Sequence, residues 1–300
     1  MSTEIVSVNA LSKSFGPIKA INNISFTVNK GEVVGILGPN GSGKTTTLAI
    51  MLGVKHATNG SYSWFGEKGT ADTNKRIGAL LEVPHFYPYL SLERNLKTTA
   101  LARGKGLTDI DRVLQRVGLY ERRKTSFQTL SLGMKQRLAI AATMLGDPEV
   151  LVLDEPANGL DPEGIAEIRE LILDEAKRGK TIIMASHILD EVEKVCSHVV
   201  ILKNGKCLAS GRVGALLTET PKVLVEAPEI DSLINFFESN EGYTIAERNG
   251  NQLIVGIKDG SNSAALNRRL FESGITLSRL EPKRKNLEEQ FLEQIGRASG

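Results

Sequence analysis

Tryptophan occurs once in 300 residues, cysteine twice and histidine four times, and aromatic residues together make up only 5%. Two cysteines, Cys196 and Cys207, are too few for a disulfide framework, and their spacing matches no metal cluster; reduced thiols of a cytosolic protein are expected. Neither sign of charge prevails, since 37 basic and 35 acidic side chains leave a net +2. That balance lacks the basic footprint of a nucleic-acid-binding surface, so no nucleic-acid partner is expected. No apolar run approaches the roughly 20 residues that a membrane-crossing helix needs. Met1-Ser2-Thr3-Glu4 has neither the basic nor the apolar segment of a secretory signal. If the chain acts at a membrane, another polypeptide is expected to make the crossing. Low-complexity tracts and internal repeats are absent as well.

The remainder is ordinary for a folded protein, 41% hydrophobic and 24% charged, with enough length for one large and one small domain. Ile5 to Val8 and Ile24 to Val28 read as strands, the second alternating Ile24, Phe26 and Val28 toward one face. Val33 to Leu37 is a short apolar run ending in glycine-rich sequence, and a helix is expected from Thr45 to Leu52, before Gly53. Residues 88–147 read as mostly helical, with Ser91 and Thr108 as caps, Gly118 as a stop, and a third helix from Ser131 to Leu145. Val150 to Leu153 and Thr181 to Ala185 are uninterrupted apolar strands of the buried parallel kind. Between them Asp161 and Pro162 start a helix that Gly179 ends. Val199 to Leu202 should pair with Lys206 to Ala209 across Asn204-Gly205. Strands alternating with helices predict an α/β core with a parallel sheet and a helical insertion. Beyond about residue 218 the pattern changes to strands at 222–226, 243–247, 252–258 and 275–280, with helices at 229–239 and 263–273. That βαββαβ order predicts a small ferredoxin-like α+β appendage, with Asn286 to Ile295 as a closing amphipathic helix. The expected division is 4–218 and 219–300.

Gly38-Pro39-Asn40-Gly41-Ser42-Gly43-Lys44-Thr45 matches G-x-x-x-x-G-K-[ST] in full. Glycines let successive backbone N–H groups turn inward on phosphate oxygens, and the following helix adds its positive end. Lys44 supplies a point charge to the terminal phosphates and the Thr45 hydroxyl a Mg²⁺ ligand. The strand before and the helix after are the context that this motif requires. Downstream, Asp154 and Glu155 follow a buried strand and so sit at the carboxyl edge of the sheet, where ligands bind. An isolated acidic pair would read as a helix cap; below a phosphate loop it reads as the Mg²⁺ acid and the general base. Leu130-Ser131-Leu132-Gly133-Met134 opens a helix with Ser131 as cap, and Gly133 leaves room for close approach.

These ordered motifs resemble the ATP-binding cassette (ABC) family over residues 4 to about 215. The resemblance implies a phosphate-loop NTPase core with an antiparallel β subdomain and an inserted helical subdomain. It assigns Gly38, Pro39, Asn40, Gly41, Ser42, Gly43, Lys44, Thr45 and Thr46 to nucleotide binding. Leu130 to Met134 takes the place of the L-S-G-G-Q signature, with two departures at Leu132 and Met134. Ala157-Asn158-Gly159-Leu160-Asp161 is similar to the loop that crosses the dimer interface, and His187 to the switch histidine. Phe15 stands where an aromatic ring stacks on adenine. From the residues alone, Phe15 reads first as ordinary core, and His187 could also cap a helix starting at Ile188, a role compatible with touching a γ-phosphate. The family implies a head-to-tail dimer with two ATP molecules, each phosphate loop completed by Ser131 and Gly133 of the other copy.

Glu82 stands where most of the family has glutamine, a position near Mg²⁺ whose oxygen suits that ion. The run Pro84-His85-Phe86-Tyr87-Pro88-Tyr89-Leu90 is aromatic, either a partner contact at about 82–90 or a surface buried under the helical insertion. Glu82, this run and the closing Leu287-Glu288-Glu289-Gln290-Phe291-Leu292 resemble type-two exporters, a group with daunorubicin-resistance, bacitracin-resistance, sodium-extrusion and gliding-motility ATPases. The resemblance implies a cytoplasmic ATPase held at the inner face of the membrane by a separate permease. A non-transport, regulatory nucleotide-dependent module is the alternative, which Glu155 disfavours because a degenerate site usually lacks the base.

Overall fold

The computed structural model describes residues 3–82, 85–216, 222–258 and 261–283, in two compact units, Met1–Val213 and Gly214–Gly300. The first unit begins with the long antiparallel strands β1 (Glu4–Phe15) and β2 (Ile18–Asn29), and β4 (Asn59–Trp64) completes their sheet in the order β2-β1-β4. Both opening strands exceed the segments expected at 5–8 and 24–28. The cause is bulging: Ala10 and Asn23 have φ of 48° and 58°, and their N–H groups donate to Ser25 Oγ and Ser12 Oγ, each at 2.9 Å. The side-chain alternation therefore breaks halfway along each strand.

β3 (Val33–Leu37) leads to helix α1 (Lys44–Met51); after β4 come α2 (Ala71–Lys75) and β5 (Ile77–Leu80). The helical insertion holds α3 (Leu92–Arg103), α4 (Ile110–Arg116) and α5 (Leu132–Thr143). Ser91 and Ser131 cap α3 and α5, their hydroxyls accepting from Arg94 N and Met134 N at 3.3 Å. Thr108 does not cap. A 3₁₀ turn occupies Leu107–Asp109 and α4 starts after it, because the Asp109 carboxylate is drawn to Gly146 N at 2.8 Å and to Arg112.

The chain then runs through β6 (Val150–Asp154), α6 (Pro162–Lys177), β7 (Thr181–Ser186), α7 (Leu189–Val195), β8 (His198–Lys203) and β9 (Lys206–Arg212). Asp161 caps α6 through Gly164 N at 2.9 Å. The six-stranded sheet has the order β5-β6-β7-β3-β8-β9, parallel except for the β8–β9 hairpin. Every residue of β3, β6 and β7 is buried, which is why these strands are apolar without alternation. One apolar core joins both sheets and α1, through Ile24, Val28, Ile36, Leu48, Ile50, Val152 and Ile183. Trp64 is fully buried in it, its indole N–H donating to Met51 O at 2.6 Å.

In the second unit, after α8 (Val213–Leu216) at the boundary, the elements are β10 (Lys222–Glu226), α9 (Ile230–Glu238), β11 (Tyr243–Asn249), β12 (Gln252–Ile257), α10 (Ser263–Glu272) and β13 (Arg279–Lys283). Their antiparallel sheet, β11-β12-β10-β13, is the ferredoxin-like arrangement. The last strand lies at 279–283 rather than 275–280. Ile275 and Leu277 pack on the core from a loop, so their alternation imitated a strand. The helix expected at 286–295 lies outside the described residues.

Candidate active site

Register brings the chemistry to one edge of the parallel sheet. Leu37 pairs with Ser186 and Asp154 with Ala185, so the loop after β3, the acidic pair that ends and follows β6 and His187 after β7 all lie at the same carboxyl end of the sheet. Between β3 and α1, Gly38 is fixed by sterics: a Cβ there would lie 2.3 Å from Leu202 O and 2.5 Å from Ser42 Oγ. Gly43, with φ of 105°, is the N-cap of α1. The first-turn N–H groups of α1 have no partner within the helix and face the loop.

Lys44, 5% exposed, donates from Nζ to Gly38 O at 2.8 Å and Pro39 O at 3.3 Å, and pairs with Glu155 Oε1 at 3.2 Å. The other oxygen, Glu155 Oε2, lies 2.8 Å from His187 Nδ1. A carboxylate has no proton to give, so Nδ1 is the donating nitrogen of His187 in this contact. Glu155 holds this place with φ of 48°, a left-handed conformation unusual for a residue with a side chain. His187 does not cap α7, whose N-cap is Ile188 and whose start no side chain bonds; the Ser186 hydroxyl accepts from Ile188 N at 3.0 Å in the turn before it.

Asp154 is buried, and Thr45 stands beside it on the wall of one cavity. Burial pushes the Asp154 carboxyl above its ordinary value; Thr45 and Lys44 oppose the rise, and the charges of Glu155 and Glu82 add to it. Its Oδ1 is buried without a hydrogen-bond partner, and so is Ser42 Oγ in the loop. Among the described residues no group of three or more His, Cys, Asp or Glu could hold a metal alone. Magnesium does not need one, because it usually takes one or two protein oxygens and completes its shell with phosphates and water. A partnerless carboxylate oxygen beside a hydroxyl fits that ion.

Thr45, Glu82, Asp154 and Glu155 line one cavity of about 600 Å³ together with Phe127, Leu132, Lys135, Gln136 and Asn158. Glu82 is exposed, with φ of 59°. Lys135 and Gln136 follow the Leu130–Met134 motif in the sequence, whereas Phe127 carries no sequence signal of its own; the fold of the insertion over the sheet edge brings all three to this wall. Phe15, Ser131 and Gly133 are not part of the lining. Phe15 stands at the end of β1, 43% exposed, with Lys13 Nζ and Lys55 Nζ 5.0 and 5.6 Å from its ring centre. Ser131 is exposed at the start of α5, and a Cβ on Gly133 would meet nothing nearer than Leu160 Cδ2 at 3.9 Å.

A phosphate loop, an oriented carboxylate and an α/β sheet with a helical insertion define the class of phosphate-loop nucleotide hydrolases. The sequence pattern described as ABC transporter matches residues 21–158. Bacitracin transport ATP-binding protein BcrA of Bacillus licheniformis is 37% identical, over 99% of this chain and 98% of its own. The uncharacterized ABC transporter ATP-binding protein YdbJ of Bacillus subtilis is 34% identical over 97% and 96%. Lantibiotic transport ATP-binding protein SrtF of Streptococcus pyogenes is 38% identical over 68% of this chain and 89% of its own. Among solved structures, CbiO1 of Clostridium perfringens, part of an ABC transporter complex, superposes with a TM-score of 0.64 at 29% identity, covering 70% of this chain and 89% of its own. The chain belongs to the ABC transporter family, as an ATP-binding subunit that hydrolyses ATP. No helix among the described residues is long and apolar enough to cross a membrane.

Proposed function

We propose that this subunit works as one half of a head-to-tail dimer that hydrolyses Mg²⁺-ATP and drives a separate export permease. Residues 38–46 cradle the phosphates, Phe15 stacks on adenine, and Glu155 is the general base. Ser131 and Gly133 of a second copy close each site. One observation carries the hydrolytic reading: both carboxylate oxygens of Glu155 are held, by Lys44 at 3.2 Å and by His187 at 2.8 Å. A base so oriented, against the lysine that meets the terminal phosphate, is aimed at the place of an attacking water. Lys44 exchanges the carbonyls of Gly38 and Pro39 for phosphate oxygens. His187 steadies Glu155 through Nδ1 and turns Nε2 toward the γ-phosphate. Bound Mg²⁺ would neutralise charge on the phosphates; we assign its protein ligands to Thr45 Oγ1 and Asp154 Oδ1, with Glu82 facing it across the same cavity.

The dimer reading is supported by Gly133, where this chain itself leaves room for a side chain, so a small residue serves something outside it. The permease contact at about residues 82–90 is supported by Tyr87 and Tyr89, which are 49% and 71% exposed. A peripheral place at the cytoplasmic face follows from that contact. The relatives named for bacitracin and lantibiotic transport support the exporter group.

Glu155→Gln tests the central assignment. The variant should bind ATP, accumulate as an ATP-bound dimer in size-exclusion chromatography, and turn over at least about tenfold more slowly, as expected for loss of a general base. Full activity would remove Glu155 from that role.

A further inference from the structure

Asn95 lies in the first half of α3 with its side chain 1% exposed. Its amide is used completely. Oδ1 accepts from Tyr87 N at 2.8 Å, and Nδ2 donates to the carbonyls of Tyr87, Leu90 and Ser91 at 3.1, 3.3 and 3.2 Å. A buried, fully bonded amide fixes the backbone around it, because each lost partner would leave a polar group dry. What Asn95 fixes is the exposed aromatic strip that carries Tyr87 and Tyr89.

The strip is fastened along its other side too. Pro88 O accepts from Ser126 Oγ at 2.8 Å and from Gln128 N at 3.0 Å, and Leu90 O accepts from Phe127 N at 2.9 Å. The Phe86 and Phe127 rings meet edge to face, 5.2 Å between centres. Phe127 in turn lines the cavity of Asp154 and Glu155, and the segment runs through Leu130 directly into Ser131.

We propose that Asn95 is a positioning residue that welds the strip 85–90 and the segment 126–130 into one piece, so that a load on Tyr87 and Tyr89 reaches Ser131. The inference rests on the reading of Ser131 as part of the composite ATP site. Packed elements joined in this way transmit displacement as a unit. The ATP-cradling loop is not part of that piece.

The test compares the full-length chain with Asn95→Ala, Ser126→Ala and the double variant, by amide hydrogen exchange and steady-state ATP hydrolysis. In both single variants, exchange should quicken at least about tenfold across 126–130 as well as at Tyr87. The kcat should fall at least about fivefold while KM for ATP stays within about twofold, since the phosphate loop is untouched. The double variant should cost no more than the poorer single, as parts of one piece do. Unchanged exchange at 126–130, or additive losses, would overturn the proposal, and so would kcat and KM worsening together with thermal stability. Should Asn95→Ala fail to fold, Ser126→Ala, at a partly exposed site, decides alone. A wild-type chain without ATPase activity would refute the hydrolytic reading, while the exchange comparison still judges the weld.

Discussion

Replacing Asp154 by asparagine takes a negative charge out of a closed space, and its consequences for stability and for metal should have opposite signs. Asp154 is 3% exposed, and its Oδ1 has no hydrogen-bond partner. Burial lifts its carboxyl above the ordinary 3.8, helped by the charges on Glu155 and Glu82. The folded chain therefore binds this proton more tightly than the unfolded one. The stability associated with the protonated form is present below 3.8 and is lost as pH rises through the raised folded value. At neutral pH the ionised group is a net cost of about 1–3 kcal/mol, the usual range for a buried unsatisfied polar group. The amide carries no charge, so the part of that cost owed to ionisation disappears. The unfolding midpoint of the ligand-free first unit at pH 7 should rise by roughly 2–12 °C, taking about 2–4 °C per kcal/mol for a unit of this size. The difference should shrink as pH falls toward the ordinary carboxylate range. In the same variant, ATP with Mg²⁺ should stabilise no more than ATP with a chelator, because the proposed oxygen ligand has gone. Scanning calorimetry between pH 3.5 and 8, with and without nucleotide and metal, reads all three effects. A lower ligand-free midpoint at pH 7, or a retained Mg²⁺ increment, would refute the reasoning.

Gly38→Ala places a methyl group 2.3 Å from Leu202 O. Since β8 is buried, the phosphate loop has to move: a cost of about 1–3 kcal/mol and at least about tenfold weaker ATP binding are expected, and unchanged affinity in equilibrium titration would contradict it. His187→Ala removes the hydrogen bond that orients Glu155 at 2.8 Å; kcat should drop at least about tenfold with the ATP dissociation constant within about threefold. Equal losses in both constants would make His187 a ligand for ATP rather than a support for the base.

What could be read from the chain followed from how strongly local physics constrains each segment. Val150 to Leu153 had to be apolar throughout because both faces of β6 are covered, and its buried run pointed to Asp154 and Glu155. Ser91, Ser131 and Asp161 bond the helix starts that their residue types advertise. The hidden parts depend on distant contacts. Gly60, in a stretch that resembles a loop, lets β4 cross β1 where a Cβ would lie 2.3 Å from Ala10 O, so glycine there marks a close approach of two strands. Ala10 and Asn23 conceal half of β1 and β2 by bulging. Asn95 looks like any asparagine on a helix until the chain before it folds back onto its amide. Phe127 and Lys135 acquire their place on the cavity wall only when the insertion is set against the sheet.

The buried indole of Trp64 has an optical consequence. It is the chain's sole tryptophan, so the long-wavelength emission comes from one place in the core. Its N–H is bonded to Met51 O at the final turn of α1, the helix whose opening turn faces the phosphate loop. A single rigid element thus joins the ATP-binding end to a built-in fluorophore. Strain placed on Lys44 and Thr45 can be followed as a change in tryptophan quenching or lifetime, in the unlabelled protein and on the timescale of each turnover.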